Sequence, residues 1–108
     1  MKLDIQAVDF KLHRKLEKLI EDKLARYARK HSWIVGAEVY LKPLKTHDHK
    51  NKQLEIKLNI PGNDLFAKAV EEKFEIALDK VDEALIKQLT KFKERDLIKP
   101  RVNPLKSA

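Results

Sequence analysis

The chain has 108 residues, which is the size of one small domain. Charged residues make up 38% of the sequence, and 24 Lys and Arg against 17 Asp and Glu give a formal net charge of +7. A positive charge of this size favours a polyanionic partner, either nucleic acid or an anionic membrane surface. The absence of cysteine excludes disulfides, thiolate zinc sites and thiol nucleophiles.

Two features of the chain argue against export and membrane binding. The N-terminal segment MKLDIQAVDF carries acidic residues where a signal peptide would need an apolar core, and the longest uncharged, mostly apolar run is the short SWIVGA. A helix lying on a membrane would need large apolar residues opposite its basic face, and here the core needs those residues. We therefore expect a cytoplasmic protein with no membrane partner.

The first half of the chain predicts a strand, a helix and a second strand. Apolar residues alternate in KLDIQA, and from residue 10 to about 30 they recur every three or four positions, with Asp9 as the expected N-cap. The predicted buried stripe of this helix consists of Leu12, Leu16, Leu19, Ile20, Leu24 and Tyr27. IVGAEVYLK alternates again and ends at Pro43, and LKTHDHKNK then predicts a polar loop.

The second half predicts a hairpin and a second helix. QLEIKLNI and LFAKAV are separated by the turn signal PGND, and a helical period follows from residue 72 to about 95. Its predicted buried stripe is Phe74, Leu78, Val81, Leu85, Leu89 and Phe92. The order β-α-β-β-β-α predicts an α+β fold, an antiparallel-dominated four-stranded sheet with two long helices packed on one face. The other sheet face would then expose Glu38, Tyr40, Glu55, Lys57 and Lys68.

We therefore expect one α+β domain over residues 1–95, followed by a short, basic, flexible tail at residues 96–108.

Charges on the second helix are segregated. At about 100° per residue, five basic residues share a sector of about 80°, namely Lys73, Lys80, Lys87, Lys91 and Arg95. Acidic residues cluster in a different sector, at Glu75, Asp79, Asp82 and Glu83. Mixed charges would form ion pairs along the helix, whereas segregation leaves the positive field uncancelled. The alternative is a solvated face whose Lys and Arg stems cover the edges of the core.

One flank of the first helix is also basic, through Lys11, Arg14, Lys15, Lys18, Arg26 and Arg29. Two such flanks over one sheet face could border a shared groove that follows a phosphate backbone. Because most of these residues are Lys, the pattern favours contact with phosphates and recognition of shape over reading of bases. Trp33 and Tyr40 could stack on bases, but packing at the sheet edge is the expected role of both.

Nothing in the sequence supports catalysis, a metal site or another cofactor. The chain has two glycines and no phosphate-binding loop. The HDH segment at residues 47–49 lies in a polar loop with no third spaced ligand, and the serines have no His and Asp partners in a recognisable pattern. We expect neither an enzyme nor a protein with a small-molecule substrate.

Several motifs together resemble the ribosome hibernation-promoting factors. They are KLDI at the first strand, EVYLK, the alternating hairpin and FEIALDKVDEALIKQLTKFK, and the resemblance covers about residues 1–95. The most specific part, residues 77–93, is similar to the family pattern AID…L.RQL.K.K. The resemblance implies a factor that binds the small ribosomal subunit and its rRNA in the channel for mRNA and tRNA, and that inhibits translation in stationary phase or stress.

The resemblance also implies which residues contact RNA. By motif position they are Lys23, Arg26, Lys87, Lys91 and Lys93. The helical sector adds Lys80 and Arg95 as further candidates. A general RNA- or DNA-binding module of the same topology, without ribosome specificity, is the alternative.

The sequence departs from the family in three ways. The usual DMY is replaced by Lys73, Phe74 and Glu75, and a family lysine falls at Ala84, where Lys80 one turn earlier could substitute. The chain also ends after a short tail, without the C-terminal domain through which long forms pair two ribosomes. We therefore expect a monomer when free, and no pairing of ribosomes by this protein alone.

Overall fold

A computed structural model describes residues 1–94 of the protein, so Arg95 and the predicted tail lie outside the described residues. The elements are β1 (Lys2–Ala7), α1 (Arg14–Lys30), β2 (Gly36–Pro43), β3 (Lys52–Ile60), β4 (Asn63–Glu71) and α2 (Phe74–Phe92). The predicted order of strands and helices is confirmed. Neither helix of this part of the chain is long and apolar enough to span a membrane.

The four strands form one sheet in the order β1-β2-β3-β4. β1 pairs with β2 in parallel, whereas β2 with β3 and β3 with β4 are antiparallel, which confirms the antiparallel-dominated prediction. β4 therefore runs in the same direction as β1. Because α1 follows β1 and α2 follows β4, the helices run in the same direction, and their N-terminal ends lie together.

The sheet buries one face against both helices. Alternate residues of the central strands are almost fully buried, for example Val39, Leu41, Ile56 and Leu58. All six residues of the predicted α2 stripe are buried, and Ala77 joins them. Each large side chain buried in this way contributes about 1.5–3 kcal/mol. The opposite sheet face carries the five predicted polar residues, with Lys68 exposed and the other four half-buried.

The turn between β3 and β4 depends on one glycine. Gly62 has φ of +78°, a left-handed conformation that costs a glycine little because it has no Cβ. Together with Pro61 it forms the two-residue connection that sets Ile60 opposite Asn63. The PGND turn signal is therefore confirmed.

Helix α1 begins later than the sequence predicts. Its first residue is Arg14 and its N-cap is His13, whose side chain makes no capping hydrogen bond, so the prediction of Asp9 as N-cap is wrong. Asp9 instead has φ of 62°, which Asp tolerates better than most residues. The neighbouring Phe10 stacks on Phe74 with ring centroids 5.0 Å apart. Packing of Phe10 across the core therefore outweighs the local capping signal.

The buried stripe of α1 is narrower than predicted. Four residues of the predicted stripe are buried, namely Leu16, Ile20, Leu24 and Tyr27. Leu12 precedes the helix and is half-buried, and Leu19 is 38% exposed. Leu19 lies about 100° around the helix from Ile20, which is fully buried, so its side chain lies on the flank of α1 and not over the sheet.

Candidate nucleic-acid interface

Three lysines of α2 form an exposed row, which we call the lysine row: Lys80, Lys87 and Lys91. At about 100° and about 1.5 Å per residue, they occupy a sector of about 40° over a length of about 16 Å. No ion pair found within residues 1–94 involves any of them. Their positive charge therefore remains available to a partner. Lys73, which the sequence places in the same sector, is exposed at the N-cap of α2.

Gln88, beside the buried stripe of α2, is hydrogen-bonded to the edge of the sheet. Its side-chain carbonyl accepts a hydrogen bond from the Phe66 backbone N–H at 3.3 Å, and its side-chain amide donates to the Phe66 carbonyl at 2.9 Å. Phe66 belongs to β4, an edge strand of the sheet. This contact is not predicted by the sequence, in which the one signal for it is a glutamine beside the apolar stripe.

Lys23 of α1 lies between two carboxylates of α2. Its Nζ is 3.5 Å from Oδ1 of Asp79 and 3.5 Å from Oδ2 of Asp82, and its side chain is only 16% exposed. The Tyr27 hydroxyl donates a hydrogen bond to Asp82. Burial, this hydrogen bond and the negative charge of Asp82 raise the pKa of Tyr27 well above its ordinary value. We call Lys23, Tyr27, Asp79 and Asp82 the interhelix cluster.

The charge of α1 that meets the acidic flank of α2 is Lys23, which is not one of the residues of the basic flank. The sequence predicts a groove shared by two basic flanks, but helical geometry places the lysine row about 180° from Asp82, on the far side of α2 from α1. Attraction between Lys23 and the two carboxylates favours this orientation of the helices. The middle part of the gap between the helices thus contains both positively and negatively charged side chains.

Towards the C-terminal ends of the helices, the gap widens into a groove of about 510 Å³. We call it the helix-end groove. Arg26, Lys30 and Lys93 line it, together with His31 and Glu94. Burial and the positive charges of Lys93 and Lys30 lower the pKa of His31. Three cations thus stand against two carboxylates, Asp82 and Glu94, among the residues that line this groove.

A second concavity, of about 680 Å³, lies at the N-terminal ends of the helices. Basic residues from three segments of the chain line it: Lys11, Arg14, Lys15, Lys52 and Lys73. Lys52 begins β3 and was not among the sequence candidates. Lys52 is far in the chain from the start of either helix, so only the tertiary structure shows that it lines this concavity.

The open sheet face holds paired charges. Lys57 forms ion pairs with Glu38 at 3.7 Å and Asp64 at 3.6 Å, and the Tyr40 hydroxyl donates to Glu38 at 3.2 Å. The negative charge of Glu38 is the main cause of a raised pKa of Tyr40. These charges compensate one another, whereas the exposed Lys68 on the same face takes part in no ion pair found in residues 1–94.

Trp33 packs at the end of the core, as the sequence predicts. Its ring centroid lies 4.9 Å from that of His31 and 5.0 Å from that of Phe92. The histidines at 47 and 49 lie in the loop between β2 and β3. Over the part of the chain that the structure describes, no group of three His, Cys, Asp or Glu side chains could hold a metal ion.

The structure thus distributes the predicted RNA-binding residues over separate places. Lys80, Lys87 and Lys91 form the lysine row, Arg26 and Lys93 border the helix-end groove, and Lys23 is held in the interhelix cluster. Arg95 lies outside the described residues. Fold and charge together define a class: a small α+β domain that displays cationic side chains on two helices over a four-stranded sheet.

The family within this class is given by comparison with known proteins. Residues 3–96 match the family described as Sigma 54 modulation protein / S30EA ribosomal protein, and the chain belongs to it. The chain is also 32% identical over 82 residues to the ribosome hibernation promotion factor of Deinococcus radiodurans. That match covers 74% of this chain and 42% of the relative, so the chain spans less than half of the relative's length. The resemblance found in the sequence is thereby confirmed.

Two solved structures share the fold. A ribosomal subunit interface protein from Coxiella burnetii superposes with a TM-score of 0.75 at 20% identity, over 87% of this chain and 99% of that one. The N-terminal domain of Protein Y from Thermus thermophilus gives a TM-score of 0.71 at 22% identity, over 85% and 99%.

Proposed function

We propose that this protein binds the small ribosomal subunit and its rRNA in the channel for mRNA and tRNA, and inhibits translation in stationary phase or stress. It acts in the cytoplasm as a ribosome-associated factor, is monomeric when free, and needs no cofactor, membrane or small-molecule substrate. It is not an enzyme.

The observation that carries this proposal is the unpaired lysine row on a chain of this family. Lys is a compact charge on a flexible stem, which suits contact with phosphates more than the reading of bases. We assign Lys80, Lys87 and Lys91 to phosphate contacts along one strand of rRNA. Arg26 and Lys93 add contacts at the helix-end groove, and Arg95 completes the proposed set. Lys23, which the resemblance also implies, is engaged by Asp79 and Asp82 instead.

Sedimentation of stationary-phase lysate tests ribosome association. At low salt we expect the protein in the fractions that contain small subunits and whole ribosomes, and with purified subunits we expect binding to the small one. A protein that stays in the ribosome-free supernatant at low salt would contradict the proposal. Equal binding to the small subunit and to unrelated RNA or DNA of similar length would instead support a general nucleic-acid-binding module.

Competition tests the position on the subunit. Small subunits loaded beforehand with mRNA and tRNA should bind the protein at least tenfold more weakly than empty ones, because the same channel would be occupied. Undiminished binding to loaded subunits would place the protein elsewhere on the ribosome. Inhibition of translation in a purified system should then follow the occupancy of the small subunit.

A further inference from the structure

The helix-end groove combines an apolar floor with a basic rim. Tyr27, Leu89 and Ile86 form the apolar part, and Ile86 remains 49% exposed although it is a large aliphatic residue. Arg26 and Lys93 stand on opposite helices at the rim. A volume of about 510 Å³ lies within the range of small-ligand sites, about 300–1,000 Å³. Such a groove fits a ligand with a flat apolar part and negative charge beside it.

We propose that the helix-end groove receives one unstacked RNA base, with the adjoining phosphates held by Arg26, Lys30 and Lys93. The inference rests on the proposed function and extends it, because the lysine row by itself contacts only the backbone. A base buries its flat face against the exposed side chain of Ile86. Such a base is available in single-stranded or distorted RNA, where bases are free to leave the stack.

Two carboxylates also line the groove, and their charges do not prevent phosphate binding. Asp82 already accepts a hydrogen bond from Tyr27 and an ion pair from Lys23. Glu94 is the remaining acidic group among the lining residues, against three cations at the rim. The balance around the opening is therefore positive, which favours an anionic ligand.

The segment of this chain that follows Glu94, a residue that lines the groove, is the competing occupant in the test. Residues 95–108 carry four basic residues (Arg95, Lys99, Arg101 and Lys106) against one acidic residue, Asp96. A segment with that charge would meet cations of like sign at the rim. Charge complementarity thus favours RNA over the chain's own C-terminal segment.

The decisive comparison uses two probes with the same number of phosphates. Fluorescence anisotropy measures binding of the full chain to hexa-adenylate and to the same ribose-phosphate backbone without bases. We expect the base-free probe to bind about tenfold more weakly, since burial of one base face against apolar surface contributes on that order. Ile86→Ala should weaken binding of hexa-adenylate by about fivefold, because it removes part of that apolar surface, and should leave binding of the base-free probe unchanged.

Ile76→Ala is the matched control. Ile76 is another exposed isoleucine of α2, at 38% exposure, and does not line the groove. Its substitution should change the affinity for neither probe. Since both isoleucines are substantially exposed, both variants should fold, and Ile86→Leu should restore binding to the wild-type protein's level.

Three results would overturn the inference. They are equal affinity for both probes, an Ile86→Ala variant that binds hexa-adenylate as the wild type does, and absent hexa-adenylate binding by a protein that still sediments with ribosomes. NMR contacts between the Ile86 methyl groups and Leu97 or Ile98 that persist with RNA would also overturn it, in favour of the C-terminal segment. In each case ribosome sedimentation reports on the proposed function separately.

Discussion

Lys23 of α1 and Asp82 of α2 form an ion pair with 3.5 Å between Nζ and Oδ2, and both side chains are largely shielded from water, at 16% and 20% exposure. The pair links the two helices directly, in addition to the packing of each helix against the sheet. It also uses a lysine that the family motif assigns to RNA. The position of Lys23 therefore indicates a structural role and not an RNA-binding role. The two roles predict different results when Lys23 is replaced.

Replacing Lys23 should destabilise the domain. In Lys23→Met, Asp82 and Asp79 lose their shared cation. We expect this to lower the free energy of unfolding by about 1–2 kcal/mol, because the shielded carboxylate of Asp82 is left without its counter-charge. Urea and thermal unfolding measure this loss. Lys18→Met, an exposed lysine of the same helix, should be neutral. If Lys23→Met unfolded like the wild type but lost ribosome affinity, Lys23 would contact RNA directly.

Tyr27 should make stability fall at high pH. An unfolded tyrosine loses its proton near pH 10, whereas burial and Asp82 raise the pKa of Tyr27 in the folded protein. Above about pH 10 the unfolded chain binds fewer protons than the folded one, so the free energy of unfolding decreases as pH rises. When urea unfolding is measured between about pH 9 and 11, the free energy of unfolding of Tyr27→Phe should decrease less steeply with pH than that of the wild type. The same slope in wild type and variant would refute this linkage.

Reversal of charge in the lysine row should abolish ribosome binding without unfolding the protein. Lys87 and Lys91 are exposed and take part in no ion pair found in residues 1–94, so Lys87→Glu with Lys91→Glu should leave the midpoint of thermal unfolding within a few degrees. Co-sedimentation with small subunits measures binding. Lys42→Glu with Lys45→Glu changes the net charge equally at another exposed site and should retain binding. Equal loss in both double variants would mean that net charge, not the row, controls affinity.

Affinity for the small subunit should depend steeply on salt. If about six phosphates are contacted, released counterions lower the affinity by roughly a thousandfold between about 50 and 200 mM salt. Binding curves at several salt concentrations give the slope, and each lysine removed from the row should reduce it by about one. A slope near zero would argue against phosphate contacts and would favour recognition through neutral surfaces.

Loss of Gln88 should expose the edge of the sheet. Its side chain pairs with the backbone N–H and carbonyl of Phe66, and without it these groups are open to another strand. We expect Gln88→Ala to lower the free energy of unfolding by about 1 kcal/mol. We also expect this variant to self-associate at high concentration, which light scattering during gel filtration measures. Gln88→Glu keeps the acceptor and loses the donor, so its effect should be intermediate. A monomeric Gln88→Ala variant with wild-type stability would show that the edge needs no such cover.

Much of the fold and part of the site could be predicted from residue order. The period of two in β3 and the period near 3.6 in α2 identify the residues that face the core, because burial of one side of an element imposes that period. Exposure of Lys80, Lys87 and Lys91 follows from the same period. Local signals failed where they competed with packing, as at Asp9, where the capping pattern yields to the stacking of Phe10 on Phe74.

Residue order is enough to predict the order of elements, the buried side of each helix, the excess of positive charge and the family. Which flank of each helix faces the other depends on the three-dimensional fold, which places Lys23 between Asp79 and Asp82, Gln88 against Phe66, and Arg26 across a groove from Lys93. The reason is physical. Periodicity specifies which side of a helix is buried, but the neighbours of its flanks depend on the direction and order of the strands, which bring distant residues together.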